Sequence, residues 1–183
     1  MNPHQSFKNI VLIGFMGTGK TSVGRILSRR LKRAFVDIDS AIESEEKCTI
    51  KEIFASKGEA AFRELEKKMI TRYAASSNLI LTTGGGAVLD PDNFAALCAN
   101  GRLIALTAKP ETIFARVKRS KHRPLLLVKN PLAEIKRLLE IRQPFYAKAE
   151  HCLVTDGKSA QEIARQIADI VDPKPAKAKR SVS

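Results

Sequence analysis

Apolar residues along this chain follow two alternating rhythms. Short runs of the length of buried strands occur at Lys8 to Ile13, Ala34 to Asp37, Leu79 to Thr82, Arg102 to Thr107 and Cys152 to Val154. Between them, apolar residues recur at helical spacing: Val23, Ile26, Leu27 and Leu31 stand at i, i+3, i+4 and i+8, and Phe62, Leu65, Met69 and Tyr73 form a second stripe, with Arg63 and Glu66 beside it. Local signals mark where the helices begin and end. Thr49 with Glu52 reads as a capping box opening a short helix, and Gly58 breaks that helix before a longer one from Glu59 to Ala75. Pro91 and Pro110 open two further helices, Asn100-Gly101 closes the first of these, and Ser159 caps a last one running to about Val171. Leu132 to about Ala149 is expected to be helical, interrupted by Pro144, which kinks the helix or ends it near Gln143. Five strands alternating with helices predict an α/β fold, a parallel sheet with helices on both faces.

Length and composition narrow the class. With 183 residues, 44% of them hydrophobic, one domain over 1–172 is expected, its residues 1–7 a loose leader, followed by a disordered Pro/Ala/Lys tail over 173–183. No apolar run approaches the roughly 18 residues of a membrane helix, and no signal-peptide pattern precedes the first strand, so a cytoplasmic protein without a membrane partner is expected. Cys48, Cys98 and Cys152 lack the spacing of a metal or disulfide framework and read as free thiols, and the scattered His4, His122 and His151 suggest no metal role. The net charge of +13 raises the possibility of a nucleic-acid partner, but part of it sits in the tail at Lys174, Lys177, Lys179 and Arg180, and more at Arg116 to Lys121 and Arg123. With two tyrosines and no tryptophan there is no aromatic-interleaved basic surface, so no nucleic-acid partner is expected. An enzyme holding several anionic groups would be equally basic.

The chemistry begins at Gly14-Phe15-Met16-Gly17-Thr18-Gly19-Lys20-Thr21, which reads G-x-x-x-x-G-K-[ST] between a strand and a helix. Glycines there let backbone N–H groups turn inward around phosphates, Lys20 adds a charge, Thr21 offers a hydroxyl to Mg²⁺, and the helix points its positive end at the same place. The motif predicts a nucleoside triphosphate site. Asp37-Ile38-Asp39 puts two carboxylates at the carboxyl end of a strand, where open α/β sheets bind ligands. Gly84-Gly85-Gly86 directly follows another buried strand, which implies backbone in close contact with a neighbour. The basic segment up to Arg123 followed by Pro124-Leu125-Leu126-Leu127 has the character of a lid.

Taken in order, the P-loop, Asp37-x-Asp39, Gly58-Glu59-x-x-Phe62-Arg63-x-x-Glu66, Gly84-Gly85-Gly86-Ala87-Val88, Arg123-Pro124-Leu125-Leu126 and Arg142-x-x-x-Tyr146 resemble the shikimate kinases over nearly the whole chain. The resemblance implies a three-layer P-loop kinase fold with strand order 2-3-1-4-5, a substrate-binding region at about 38–66 and a lid at about 116–128. It implies a monomer that transfers the γ-phosphoryl group of ATP to the 3-hydroxyl of shikimate, on the route to chorismate and the aromatic amino acids, with Mg²⁺. By that resemblance Gly17, Thr18, Gly19, Lys20 and Thr21 hold the nucleotide, and Arg116 lies against its adenine or phosphates. Arg123 closes over the phosphates, while Thr21 binds Mg²⁺ directly and Asp37 does so through water. Asp39 orients the attacking hydroxyl and can take its proton, Arg63 and Arg142 hold the substrate carboxylate, and Gly85 and Gly86 donate backbone N–H groups. After the last strand, Asp156 to Ser159 falls where the family has its adenine loop without a clear residue match. The alternatives are another small P-loop kinase, such as a gluconate or nucleoside monophosphate kinase, and a basic nucleic-acid-binding P-loop protein.

Overall fold

The first strand, β1 (Asn9–Gly14), is buried at every position, which places it at the centre of a sheet covered on both sides. The computed structural model describes residues 8–118 and 128–173. Around β1 lie β2 (Ala34–Asp37), β3 (Leu79–Thr82), β4 (Gly101–Thr107) and β5 (His151–Val154), all parallel, in the order β2-β3-β1-β4-β5. The predicted architecture and strand order both hold.

Alternation along β1 divides the core. Ile10 and Leu12 face α1 (Lys20–Leu31) and α7 (Ala160–Val171), meeting Val23, Leu27, Ile163 and Ile167. Val11 and Ile13 face the opposite layer, formed by α2 (Ile38–Glu46), α3 (Ile50–Ala74), α4 (Pro91–Asn100), α5 (Pro110–Val117) and α6 (Pro131–Tyr146). Both sets are apolar, so the strand reads as an unbroken run. The capping boxes Thr49–Glu52 and Ser159–Glu162 are both formed. Cys48 is half-buried and Cys98 and Cys152 are exposed, all three as free thiols.

Gly58 interrupts α3 with φ 79° and ψ 177°, a conformation that only glycine adopts readily, so the expected break holds and a second, longer helical piece follows it to Ala74. Two local expectations change. In the second piece the buried face is Phe62, Glu66, Met69 and Ile70, so Glu66 stands inside the stripe rather than beside it. The helix from residue 131 is continuous through Pro144, so the proline does not end it near Gln143, and it closes at Tyr146, short of the expected Ala149. A proline two residues before a helix end removes a single internal hydrogen bond, and Ala147 N–H still reaches the Gln143 carbonyl at 2.9 Å. Most of the expected lid, including Arg123 and Pro124 to Leu127, lies outside the described residues, as does the tail from 174.

Candidate active site

The sheet delivers its chemistry at the carboxyl ends of β1, β2 and β3. Where β1 gives way to α1, Gly14, Gly17 and Gly19 all have positive φ (134°, 76° and 95°), so the loop curls in a way that side-chain-bearing residues resist. Gly14 is also fixed by space, because a Cβ there would lie 2.2 Å from the Leu106 carbonyl oxygen. Thr18 Oγ1 donates to the Phe15 carbonyl at 2.8 Å, and Lys20 Nζ donates to the carbonyls of Gly14 at 2.8 Å and Phe15 at 3.0 Å. The loop is thus braced by its own backbone. It borders a cavity of about 350 Å³ lined by Gly17, Lys20, Thr21, Asp37, Asp39 and Arg116 among others. Arg116 reaches over from α5, donating to the Gly17 carbonyl at 3.1 Å and to Thr155 Oγ1 and O at 3.0 and 2.8 Å, which ties the loop to the turn after β5. Asp156 in that turn accepts from Thr112 Oγ1 and Lys109 N–H, so it serves to hold α5.

The two aspartates at the end of β2 have different surroundings. Asp37 Oδ2 accepts from Thr21 Oγ1 and Thr82 Oγ1, each at 2.8 Å, and Oδ1 accepts from Ser40 N–H, capping α2. Asp39, in the first turn of α2, has a buried Oδ1 with no hydrogen-bond partner among the described residues. Burial first, then the charges of Asp37 and Glu66, push its pKa from 3.8 to about 6, with Lys20 pulling the other way. Such a carboxylate is poised to take a proton near neutral pH.

Beyond Asp39 the three consecutive glycines each meet a different charged group. A Cβ on Gly84 would lie 2.8 Å from Glu66 Oε1 and 3.0 Å from Asp39 Oδ1; one on Gly85 would lie 3.3 Å from Arg142 Nη1; one on Gly86 would lie 3.0 Å from Arg63 Nη2. None of the three has a positive φ, so close approach explains them rather than backbone strain. Arg63 Nη1 donates to Glu66 at 2.7 Å and Nη2 to Glu59 at 2.9 Å. Burial disfavours its charge, but the two glutamates outweigh that and hold its pKa above the ordinary value. Burial also raises the pKa of Glu66, against the pull of Arg63. Arg142 is 6% exposed, lies over the Phe15 ring with 5.4 Å to its centroid, has no carboxylate within ion-pair distance among the described residues, and keeps a buried, unpartnered Nε.

Every predicted site residue within the described range therefore falls in one region, from Gly17 to Thr21 through Asp37 and Asp39 to Arg63, Gly85, Gly86 and Arg142. Three contributors were not given a role from sequence. Glu66 fixes Arg63 and its i,i+3 spacing was the available signal. Thr82 holds Asp37, a contact that leaves no local trace, and the Tyr146 hydroxyl donates to the Gly85 carbonyl at 2.5 Å, for which the Arg142-x-x-x-Tyr146 spacing was the available signal. Among the described residues no cluster of three or more His, Cys, Asp or Glu could hold a metal ion.

Comparison with known proteins bears on what this arrangement serves. A family model described as shikimate kinase matches residues 16–172. The chain is 49% identical over 160 residues to a shikimate kinase of Pelotomaculum thermopropionicum, covering 87% of this chain and 93% of that one. It is 45% identical over 160 residues to one of Thermodesulfovibrio yellowstonii, covering 87% and 92%. Among solved structures it is similar to the shikimate kinase of Acinetobacter baumannii in complex with shikimate, with TM-score 0.88, 37% identity, and 91% and 94% of the two chains covered. A gluconokinase of Sinorhizobium meliloti shares the fold alone, at TM-score 0.58 and 15% identity over 89% of this chain and 90% of that one.

Proposed function

This chain belongs to the shikimate kinase family, and on that premise we propose that it transfers the γ-phosphoryl group of ATP to the 3-hydroxyl of shikimate, giving shikimate 3-phosphate and ADP. One observation carries the assignment to this acceptor: Asp39, Arg63 and Arg142, from three helices, converge on the Gly84–Gly86 turn, which itself abuts the P-loop at Gly14 and Met16. Two guanidiniums, one of them buried without a carboxylate of its own, suit a substrate carboxylate. The raised carboxyl of Asp39 suits a neighbouring hydroxyl.

Phosphoryl transfer asks a protein to position reactants and to stabilise charge on the transferred group. In this reading the P-loop residues Gly17 to Thr21 hold the nucleotide phosphates, and Lys20 leaves its carbonyl partners in part to follow the γ-phosphate. Arg116 flanks the nucleotide where it already bridges the P-loop and the turn after β5. Thr21 and Asp37 fit Mg²⁺, because Thr21 Oγ1 can offer a lone pair while its O–H goes on donating to the Asp37 carboxylate. A site with one nearby carboxylate and phosphate oxygens suits an ion that keeps several waters. When bound, Mg²⁺ neutralises charge on the phosphate oxygens. Asp39 orients the attacking hydroxyl and accepts its proton, and Arg63, Arg142 and the N–H groups of Gly85 and Gly86 bind the carboxylate. Arg123, outside the described residues, is assigned to the lid over the phosphates on the family resemblance.

We further assign 1–172 to one catalytic domain, with substrate-binding region 38–66 and lid 116–128, acting as a cytoplasmic monomer without nucleic-acid or membrane partners. In support, no helix among the described residues is long and apolar enough to cross a membrane. A coupled ATPase assay over shikimate, gluconate and nucleoside monophosphates tests the reaction. Turnover with shikimate alone is expected; turnover with gluconate and none with shikimate would overturn it.

A further inference from the structure

Tyr146 is the last residue of α6 and lies one turn beyond Arg142 on the same buried face. That placement depends on the helix continuing through Pro144. Its ring is 2% exposed, and its hydroxyl donates to the Gly85 carbonyl at 2.5 Å. Gly85 is the middle of the three-glycine turn: the space a Cβ would take there is bordered by Arg142 Nη1 at 3.3 Å and by the Gly14 carbonyl oxygen and Met16 N of the P-loop, each at 3.5 Å. No peptide bond among the described residues is cis, so the Gly85 carbonyl and the Gly86 N–H, which share one peptide plane, point in opposite directions. Holding the carbonyl therefore aims the N–H.

We propose that Tyr146 is a positioning residue for acceptor binding: by fixing the Gly85 carbonyl it sets the direction of the Gly86 N–H and the seat of Arg142, and so arranges the groups that receive the substrate carboxylate. This rests on the carboxylate-binding role given above to Arg63, Arg142 and the turn. Two further observations agree with it. Burial pushes the Tyr146 hydroxyl up to about 12, with Arg142 pulling against it, so the group stays a neutral donor at any working pH and does not relay protons. A ring contact reinforces the geometry, since Arg142, one turn before Tyr146 on the same helix, lies over the Phe15 ring of the P-loop.

The test is Tyr146→Phe, which keeps the ring and deletes the donor, measured beside wild-type enzyme. The expected result is a KM for shikimate raised by about tenfold and a KM for ATP changed by less than about twofold, as loss of one acceptor-side hydrogen bond predicts. An unchanged KM for shikimate would overturn the proposal, as would parallel rises in both KM values together with a lowered melting temperature, which would mark a purely structural role. Wild-type protein that fails to turn over shikimate would instead count against the acceptor assignment itself. Should Tyr146→Phe not fold, 3-fluorotyrosine labelling of the native chain reads the same contact, because Tyr73 and Tyr146 are its only tyrosines and Tyr73→Phe identifies the signal. The Tyr146 fluorine resonance should move when shikimate is added to the enzyme and stay in place with ADP alone; a resonance unmoved by shikimate would sink the idea.

Discussion

The phosphate half and the acceptor half of the site lie side by side but are built on opposite plans. Gly14 to Thr21 is one continuous stretch, the side chains of Thr18 and Lys20 donate to its own carbonyls, and those that hold Lys20 are only five and six residues away. The acceptor half collects Asp39 from α2, Arg63 and Glu66 from α3, Gly84 to Gly86 after β3, and Arg142 and Tyr146 from α6. There Asp39 Oδ1, Glu66 Oε1 and Arg142 Nε are buried without partners among the described residues. A buried polar atom left unpaired costs on the order of 1–3 kcal/mol. The P-loop is thus shaped largely by local contacts, whereas the proposed acceptor half is held in place by the whole fold and at the expense of its stability.

The largest expected effect that separates the halves is that of Asp39→Asn. It should lower kcat by roughly 10²- to 10⁴-fold, the range for losing a general base, with ATP affinity little changed. An unchanged kcat would remove Asp39 from the chemistry. The same substitution should stabilise the protein. Folded Asp39 binds its proton more tightly than the unfolded chain does, so its contribution to stability is present at low pH and is lost as pH rises from 3.8 through about 6. At pH 8 that loss is on the order of 3 kcal/mol, which Asn would recover, and the gain should vanish near pH 4 in thermal melts.

Next comes Arg142→Ala, expected to raise the KM for shikimate by about 10²-fold through loss of charge-assisted hydrogen bonds, with the KM for ATP nearly constant. Arg63→Ala should act in the same direction and also cost stability, because it strands the buried Glu66 carboxylate. If either effect fell on ATP alone, the carboxylate assignment would be wrong. A smaller change is expected of Gly84→Ala, whose methyl would press on Glu66 and Asp39. It should lower kcat/KM for shikimate about tenfold and leave nucleotide binding intact, as equilibrium titration with ADP would reveal. The mildest effect is one of pH: kcat/KM for shikimate should fall as pH drops below about 6 and Asp39 takes up its proton, and an acid limb that persisted in Asp39→Glu at the same pH would point to another group.

Most of the fold was legible because its signals are local. Strand runs, helical stripes, the capping residues Thr49 and Ser159, and the P-loop each lie within a dozen residues, and the parallel sheet follows from their alternation. Two local readings were incomplete. Pro144 can kink or end a helix, but sitting so near the terminus it costs one hydrogen bond and lets Tyr146 reach Gly85. Glu66 ought to face solvent, but a guanidinium one turn away and a glycine across the turn enclose it.

The sequence by itself determined that this chain binds a nucleotide's phosphates, since a P-loop needs only its own eight residues and the strand and helix that flank it. Order and spacing of the later motifs carried the family. That the three glycines after β3 meet neighbours closely was legible in the row itself; which neighbours they meet only the tertiary structure decided. Each lies against a different charged side chain, Asp39 with Glu66, then Arg142, then Arg63, and a Cβ would crowd them at 2.8, 3.3 and 3.0 Å in turn. Those partners are set between residues dozens of positions apart, and no local pattern of residues records them.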